Sequence, residues 1–270
     1  MALAQHPVDT VVSLAREVVG PERAEPFGLY LFKSEDPGAE LARHVEQQVF
    51  FETFGNTPEL LAKEYLPYDD ASIFLCVLDQ RRHVPAAMMR IITPSAQGFK
   101  SLDDIPPVWG ISVDEMFERT GIQTRPDRIW DIATIAAHPD YRGKAVMGLA
   151  TLGLYQALAH ISQGTRMETL VCILDMPVFR MMQSKLHLIF DRFVGVEPMP
   201  YLGSPASIPV WCSLASAKER IGQADRALHD ILYVDNGVEA VLSPLDLPQA
   251  LASITEVTAA NHRRRGIGRR

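Results

Sequence analysis

The feature that most restricts the fold is a pair of apolar runs, residues 71–79 and 84–92, separated by four polar residues. The connector, Gln80-Arg81-Arg82-His83, is too short for a crossover helix, so the two runs predict an antiparallel β-hairpin. Pro85 then belongs at a strand start or edge. A purely parallel sheet needs a crossover of about a dozen or more residues between each pair of strands and is therefore excluded.

Strand and helix patterns surround this hairpin. We predict strands at residues 27–33, 129–137, 167–174, 188–196 and 208–214, the second of these being the clearest buried strand in the chain. We predict helices at residues 8–19, 39–54, 57–65, 112–119, 177–186 and from the turn after residue 138 to about residue 161. This order predicts an α/β (α+β) chain with a mixed central sheet and helices packed on its faces.

Charge and hydropathy exclude several classes of protein. The 270 residues are 47% hydrophobic and contain 26 basic against 33 acidic residues, a net charge of −7. Five arginines lie in the last ten residues, so the remainder holds 21 basic against 33 acidic residues, a net of −12. An acidic body argues against nucleic-acid binding, which needs a basic face. No apolar run approaches the ~18–20 residues of a membrane span, and no signal-peptide core opens the chain.

The three cysteines, Cys76, Cys172 and Cys212, are scattered through apolar stretches and form no CxxC pair. This spacing supports neither a disulfide framework nor a zinc site. We therefore expect a reduced, cytoplasmic protein without a metal.

The segment from residue 129 to residue 159 resembles a known motif. A buried strand is followed by His138-Pro-Asp-Tyr-Arg-Gly-Lys144 and then by a helix, as in the acyl-CoA-binding motif of the GNAT N-acyltransferases. Arg142, Gly143 and Lys144 match its Arg-Gly-x-Gly-x-Gly wording, whereas Ala145 and Met147 replace the later glycines and Gly148 comes one place late. The resemblance covers residues 27–214 and implies a GNAT-like, mostly antiparallel sheet.

The resemblance also implies a binding site for the acyl donor. Backbone N–H groups at a helix N-terminus bind the pyrophosphate of CoA, so the implied phosphate contacts are Arg142, Gly143, Lys144 and Gly148. The backbone N–H groups of Thr134, Ile135 and Ala136 would hold the thioester arm and its developing oxyanion. Met182 stands where many GNAT enzymes have a catalytic tyrosine.

Three further stretches resemble one branch of the superfamily, the N-acyl-homoserine-lactone (autoinducer) synthases and N-acyl amino acid synthases. These are residues 49–51 with 64–70, residues 130–134, and residues 195–203. Members of this branch take the acyl group from acyl carrier protein or from CoA. The implied co-substrate is therefore acyl-CoA or acyl-phosphopantetheine on a carrier protein, and the implied partners are a small-molecule amine and acyl carrier protein.

Asp131 is the candidate catalytic residue, because a carboxylate in an otherwise apolar strand is costly unless it is paired or used. Its role would be a base that takes a proton from the attacking amine, directly or through water. The alternative is a structural carboxylate that caps a loop or pairs with Arg128 or Arg90. In an ideal strand Thr134 lies on the opposite face from Asp131, unless a bulge changes the alternation.

The sequence thus predicts an N-acyltransferase that moves an acyl group from a thioester to an amine by direct attack. Two alternatives remain: an acyl-homoserine-lactone or N-acyl amino acid synthase using acyl carrier protein, and a noncatalytic GNAT-fold binding protein, which Met147 and Met182 favour. Three acidic residues would either bind a cationic amine substrate or lie in solvated loops: Glu64, Asp69 and Asp70.

The predicted organisation is an N-terminal helical extension (1–26), a GNAT-like domain (27–215), a C-terminal extension (216–255) and a disordered basic tail (256–270). The tail would either attract an acidic carrier protein or have no role.

Overall fold

The structure, a computed structural model, describes residues 8–21, 24–142, 148–185, 189–234 and 237–267. The α-helices are α1 (Val8–Val19), α2 (Ala39–Phe54), α3 (Pro58–Tyr65), α4 (Lys100–Asp103), α5 (Ile105–Trp109), α6 (Val113–Thr120), α7 (Leu149–Gly164), α8 (Met176–Lys185), α9 (Leu214–Ala224), α10 (Arg226–Val234) and α11 (Leu247–Ile267). The strands are β1 (Phe27–Lys33), β2 (Ser72–Asp79), β3 (Val84–Ile92), β4 (Ile129–Ala137), β5 (Thr169–Asp175), β6 (Asp191–Arg192), β7 (Met199–Tyr201), β8 (Ser204–Ser213) and β9 (Leu242–Ser243).

All of these strands belong to one mixed sheet in the order β6-β8-β5-β4-β3-β2-β1-β9, with β7 paired to β8. The predicted hairpin is present as β2 and β3, which pair antiparallel with Pro85 at the second position of β3. Only the β4–β5 and β1–β9 pairs among the described strands are parallel. The predicted fold class, a mixed and mostly antiparallel sheet flanked by helices, is confirmed.

A β-bulge in the middle of β4 decides which side chains share a face. Arg90 of β3 lies opposite Thr134, whereas the next residue, Ile91, lies opposite Ile132, so Ala133 is an extra residue on β4. Asp131 and Thr134 consequently face the neighbours Ile92 and Arg90, two residues apart on β3. The bulge therefore brings Asp131 and Thr134 to the same face of the sheet, contrary to the expectation for an ideal strand.

The two faces of the sheet carry different layers. The face formed by Leu75, Met89 and Ile132 packs against α7 and the C-terminal helices in the largest apolar cluster. The opposite face packs against α1 and α2 through residues such as Phe74 and Met88. Arg90 of β3 and Asp131 of β4, the charged residues of these two strands, lie on this second face.

Elements near both ends of the described chain pack against the central sheet. Helix α1 contributes Val11, Ala15 and Val19 to the core beside α2. At the other end β9 adds a parallel edge strand beside β1, and Val257 of α11 joins the large cluster.

Several boundaries differ from the sequence-based prediction. Among the described residues of the predicted strand, 189–196, only Asp191–Arg192 form a strand, and Val194 is exposed. The tail predicted to be disordered from residue 256 continues α11 to Ile267, since Ile254 and Val257 form an apolar contact with the core. The connection 93–128 contains two short helices that were not predicted, α4 and α5, beside α6, which corresponds to the helix predicted at residues 112–119.

The turn between β7 and β8 is held against the C-terminus of α2. Asn56 donates from Nδ2 to the carbonyl oxygen of Leu202 at 2.9 Å. Gly203 has φ +80, and a Cβ there would lie 2.4 Å from the carbonyl oxygen of Phe54. The turn therefore requires glycine for both its conformation and its close approach.

We expect Gly203→Ala to lower the free energy of unfolding by about 2–4 kcal/mol, because it adds a backbone clash to a strained φ. Gly110→Ala is the matched control, since Gly110 has φ +68 with nothing within 4 Å of a built Cβ. That control should cost only the left-handed strain, about 1–2 kcal/mol. Equal losses in chemical denaturation would contradict the packing assigned to the turn.

Candidate active site

The central strands separate beside Asp131. Strands β4 and β5 pair at only three positions, Ile129–Thr169, Trp130–Leu170 and Asp131–Val171. Both strands are fully described and continue, to Ala137 and Asp175 respectively, without further pairing to each other. A gap between two strand edges, with Asp131 at its closed end, is therefore the central feature of the sheet. We call it the β4–β5 gap.

The alternation of the antiparallel β3–β4 ladder determines which backbone groups face this gap. His138 N–H donates to the carbonyl oxygen of Ala86 at 2.9 Å, which fixes the hydrogen-bonded phase of the ladder. The backbone N–H and C=O groups of Thr134 and Ala136 therefore form hydrogen bonds with β3, whereas those of Ile135 and Ala137 point away from β3. Of the three backbone N–H groups expected to hold a thioester, Ile135 is the one directed towards the gap.

Asp131 is completely buried and held by one serine. Its Oδ2 accepts from the backbone N–H of Ser101 at 2.8 Å, and its Oδ1 accepts from Ser101 Oγ at 2.6 Å. Burial raises the pKa of Asp131 to about 7, against the opposing effect of both Ser101 hydrogen bonds. Asp131 therefore pairs with neither Arg128 nor Arg90, the two partners considered from the sequence. A carboxyl group with a pKa near 7 is suited to proton transfer near neutral pH.

A buried ion pair lies beyond Asp131 on the same face. Arg90 donates to Glu46 of α2 from Nη2 at 2.6 Å and from Nε at 3.0 Å, and the Thr134 hydroxyl also donates to Glu46. The side chains of Arg90 and Glu46 are 5% and 2% exposed. The side chain of Thr134 is therefore engaged within the protein, and its backbone bonds to β3, so Ile135 remains the candidate for donor binding among the three residues.

A second ion-pair group extends this network towards the surface. Asp69 accepts from Arg90 at 3.2 Å and from Arg43 at 3.0 Å. The two guanidinium groups lie 4.6 and 4.8 Å from the centre of the Phe74 ring. Asp69, a sequence candidate for amine binding, is thus already paired with two arginines.

Lys100 lies next to Ser101 in α4 and is buried among acidic and aromatic side chains. Its Nζ is 2.8 Å from Glu64 Oε2 and also contacts Asp104 and the Tyr201 hydroxyl. Tyr201 in turn donates to Asp104, and the cause of its raised pKa is mainly burial. This cluster ties α3, α4 and β7 together around Asp131 and occupies Glu64, another candidate for amine binding.

The turn after β4 leads towards the N-terminus of α7. Arg142 is exposed and donates from Nε to the carbonyl oxygen of Ala137 at 2.6 Å. Gly148, with φ +70, caps α7 and requires the conformational freedom of glycine. Gly143, Lys144 and Met147 lie outside the described residues, so the other half of the expected phosphate-binding turn stays a prediction.

Two side chains of this turn have structural partners. His138 Nδ1 accepts from the backbone N–H of Asp140 at 3.2 Å, as expected of a turn histidine. Tyr141 is buried, and its hydroxyl donates to Asp79 at 2.8 Å. The turn is thereby fixed to the β2–β3 hairpin.

Met182 is buried in α8, and the hydroxyl of Tyr155 lies 3.7 Å from its sulfur. Burial raises the pKa of Tyr155 far above the ordinary range. That Met182 takes the place of a catalytic tyrosine stays a prediction.

Within the described ranges, no cluster of three or more histidine, cysteine or acidic side chains could hold a metal ion. The same part of the chain contains no helix both long and apolar enough to cross a bilayer.

The mixed, mostly antiparallel sheet flanked by helices is a GNAT-like fold. Solved structures of an N-acyl amino acid synthase and of an acyl-homoserine lactone synthase are similar to this chain in fold.

Three solved structures of two proteins illustrate the likeness. FeeM, an N-acyl amino acid synthase from uncultured soil microbes, is similar at a TM-score of 0.52 and 13% identity, over 73% of this chain and 96% of that one. BjaI, a CoA-dependent acyl-homoserine lactone synthase, gives a TM-score of 0.52 with MTA bound, at 13% identity over 84% of this chain and 98% of that one. Its structure with SAM and isopentyl-CoA gives 0.50 at 12% identity, over the same shares of both chains.

Comparison at the sequence level found no matching family model and no matching curated protein.

Sequence reasoning missed Ser101, Glu46 and Lys100. Ser101 and Lys100 lie in a proline-containing stretch without a clear period, and Glu46 is one polar residue within a helix. An available signal was Arg90, the one cation in the otherwise apolar run of β3, because a buried cation requires a buried acid.

Proposed function

We propose that the protein is an N-acyltransferase that moves an acyl group from a thioester to a small-molecule amine. The observation that carries this proposal is the β4–β5 gap, which ends at a buried carboxylate with a pKa of about 7. An unpaired strand edge offers backbone groups to an extended, amide-containing arm such as phosphopantetheine. The gap and the carboxylate together supply donor binding and a base in one place.

In the proposed reaction the amine nitrogen attacks the thioester carbonyl carbon, and Asp131 accepts the proton that the nitrogen loses, directly or through water. The carbon–sulfur bond then breaks, and the thiolate leaves and takes up a proton. The Ile135 N–H supports the carbonyl oxygen as negative charge develops on it. No covalent acyl-enzyme is required.

The donor is proposed to be acyl-CoA or acyl-phosphopantetheine on a carrier protein. Both share the phosphopantetheine arm, and exposed Arg142 with the N-terminus of α7 would face its phosphate. The acidic excess of the chain body, a net of −12 without the terminal arginines, suits a cationic or neutral acceptor.

The narrower candidate is an N-acyl amino acid or acyl-homoserine-lactone synthase. The fold likeness to FeeM and BjaI favours it. The noncatalytic alternative is favoured by the complete enclosure of Asp131 in this structure.

The test is release of free thiol from acyl-CoA and from acyl carrier protein of several chain lengths, measured with a panel of amino acids, polyamines and SAM. We expect amine-dependent thiol release and an N-acyl product of matching mass. Thiol release from acyl carrier protein but not from acyl-CoA would identify the carrier protein as the donor and support the narrower synthase candidate. Melting temperatures unchanged by every thioester, together with no product, would contradict the proposal and favour the noncatalytic alternative.

A further inference from the structure

Ser101 makes both of the hydrogen bonds that hold Asp131. Its backbone N–H and its hydroxyl donate to different oxygens of the carboxylate, at 2.8 and 2.6 Å. Both residues are buried, Asp131 completely and Ser101 with 5% exposure. A two-point attachment of this kind removes the rotational freedom of the carboxylate.

The serine reaches Asp131 through the local fold of the β3–β4 connection. Phe99 is extended, and α4 begins at Lys100, so the N–H of Ser101 lies in a first helical turn where it has no partner within the helix. Helix α4 packs against both β4 and β5, the two strands that border the gap. The connection therefore forms part of the site rather than a surface loop.

We propose that Ser101 is a positioning residue for Asp131, which fixes the orientation of the carboxylate and favours its ionised form. This inference rests on the proposed function of Asp131 as the base. Donation to a carboxylate stabilises its charged form, whereas the surrounding apolar core destabilises it. The hydrogen bonds from Ser101 thus determine whether Asp131 stays protonated or ionises and can act as a base.

Other charged and titratable groups act on the same carboxylate. Lys100 favours its ionised form and Asp104 opposes it. The remaining titratable neighbours are Tyr65 of α3, Tyr68 of the 3₁₀ turn after α3, Cys172 of β5 and Tyr201 of β7. Burial raises the pKa of each of these four groups, so they remain neutral at the pH values at which Asp131 titrates. Ser101 is the neutral residue that donates to both carboxylate oxygens of Asp131.

The test is the pH dependence of kcat/KM for Ser101→Ala, Ser101→Cys and Ser101→Thr. Because Ser101→Ala lacks the hydroxyl, the midpoint of the acid limb of its kcat/KM profile should lie about one to two pH units higher than that of the wild type. Ser101→Cys, with a weaker donor of similar size, should move it less in the same direction, and Ser101→Thr should restore the wild-type limb. Ser72→Ala is the control, because Ser72 is equally buried but donates to the carbonyl oxygen of Tyr68.

A readout independent of activity is the carbon-13 chemical shift of the Asp131 carboxyl, assigned by its disappearance in Asp131→Asn. Its titration midpoint should rise in Ser101→Ala and Ser101→Cys and stay unchanged in Ser72→Ala. An unmoved midpoint in folded Ser101→Cys would overturn the inference. If Asp131→Asn keeps full activity while the midpoint shifts, the proposed function fails and the role of Ser101 towards Asp131 stands.

Discussion

Asp131→Asn is expected to lower kcat for acyl transfer by about 10²–10⁴-fold, the usual contribution of a positioned general base. Asparagine keeps the size of the side chain and one acceptor for Ser101, but it cannot accept a proton from the amine. The acid limb of the wild-type profile, centred on the Asp131 pKa of about 7, should disappear with it. The residual activity should come from donor positioning along β4.

The folding stability of this variant has its own pH signature. Burial raises the pKa of Asp131 to about 7 in the native protein, above its value in the unfolded chain. Between about pH 4 and pH 7 the native state holds a proton that the unfolded state has released, so wild-type stability falls as the pH rises through this range. Asp131→Asn lacks this fall, and its melting temperature relative to the wild type should therefore increase with pH.

Asp191→Asn is the matched control for Asp131→Asn. Asp191 lies on edge strand β6 and pairs with Arg220 at 2.9 Å, with both side chains partly exposed. The kcat of Asp191→Asn should stay within about twofold of the wild-type value, since surface ion pairs contribute little to stability. Wild-type turnover by folded Asp131→Asn would contradict the proposed role of Asp131 as the base.

Glu46→Ala is expected to destabilise the protein by about 3–5 kcal/mol, because it leaves Arg90 buried without its closest acid. Arg90 makes two hydrogen bonds to Glu46, and their side chains are only 5% and 2% exposed. Asp69 contacts the same guanidinium at 3.2 Å and recovers part of the loss. The melting temperature should fall by roughly 10 °C in a chain of this size.

Glu115→Ala serves as the control for Glu46→Ala. Glu115 pairs with Arg119 one turn along α6, with side chains 48% and 49% exposed, so its removal should cost at most about 0.5 kcal/mol. Chemical denaturation compares the two variants directly. A loss in Glu46→Ala no larger than in Glu115→Ala would show that Arg90 finds another partner or reaches water.

The sheet could be predicted because its signals are local. Apolar runs with short polar connectors specify the β2–β3 hairpin, and one apolar run specifies β4. The bulge at Ala133 has no such signal, since Ile132, Ala133 and Thr134 all suit a regular strand. Without the bulge, Asp131 and Thr134 fall on opposite faces, so the geometry of the site could not follow from the alternation alone.

The partners of Asp131 were equally beyond the sequence. Arg90 and Arg128 were natural candidates from charge, yet the partner is Ser101, thirty residues earlier in an aperiodic connection. Long-range contacts of this kind depend on how a loop folds over the sheet. The continuation of α11 beyond residue 255 was missed for the opposite reason, because a strong arginine bias indicated disorder and concealed the apolar contacts of the helix with the core.

The most direct measurement is a crystal structure with non-reactive thioether analogues of acyl-CoA and of acyl carrier protein. The pantetheine arm should lie between β4 and β5 beyond Asp131 and Val171, and the Ile135 N–H should donate to the arm. The acyl carbon should lie within reach of an amine or water that contacts Asp131. Binding of either analogue outside the β4–β5 gap, or binding of neither, would contradict the account.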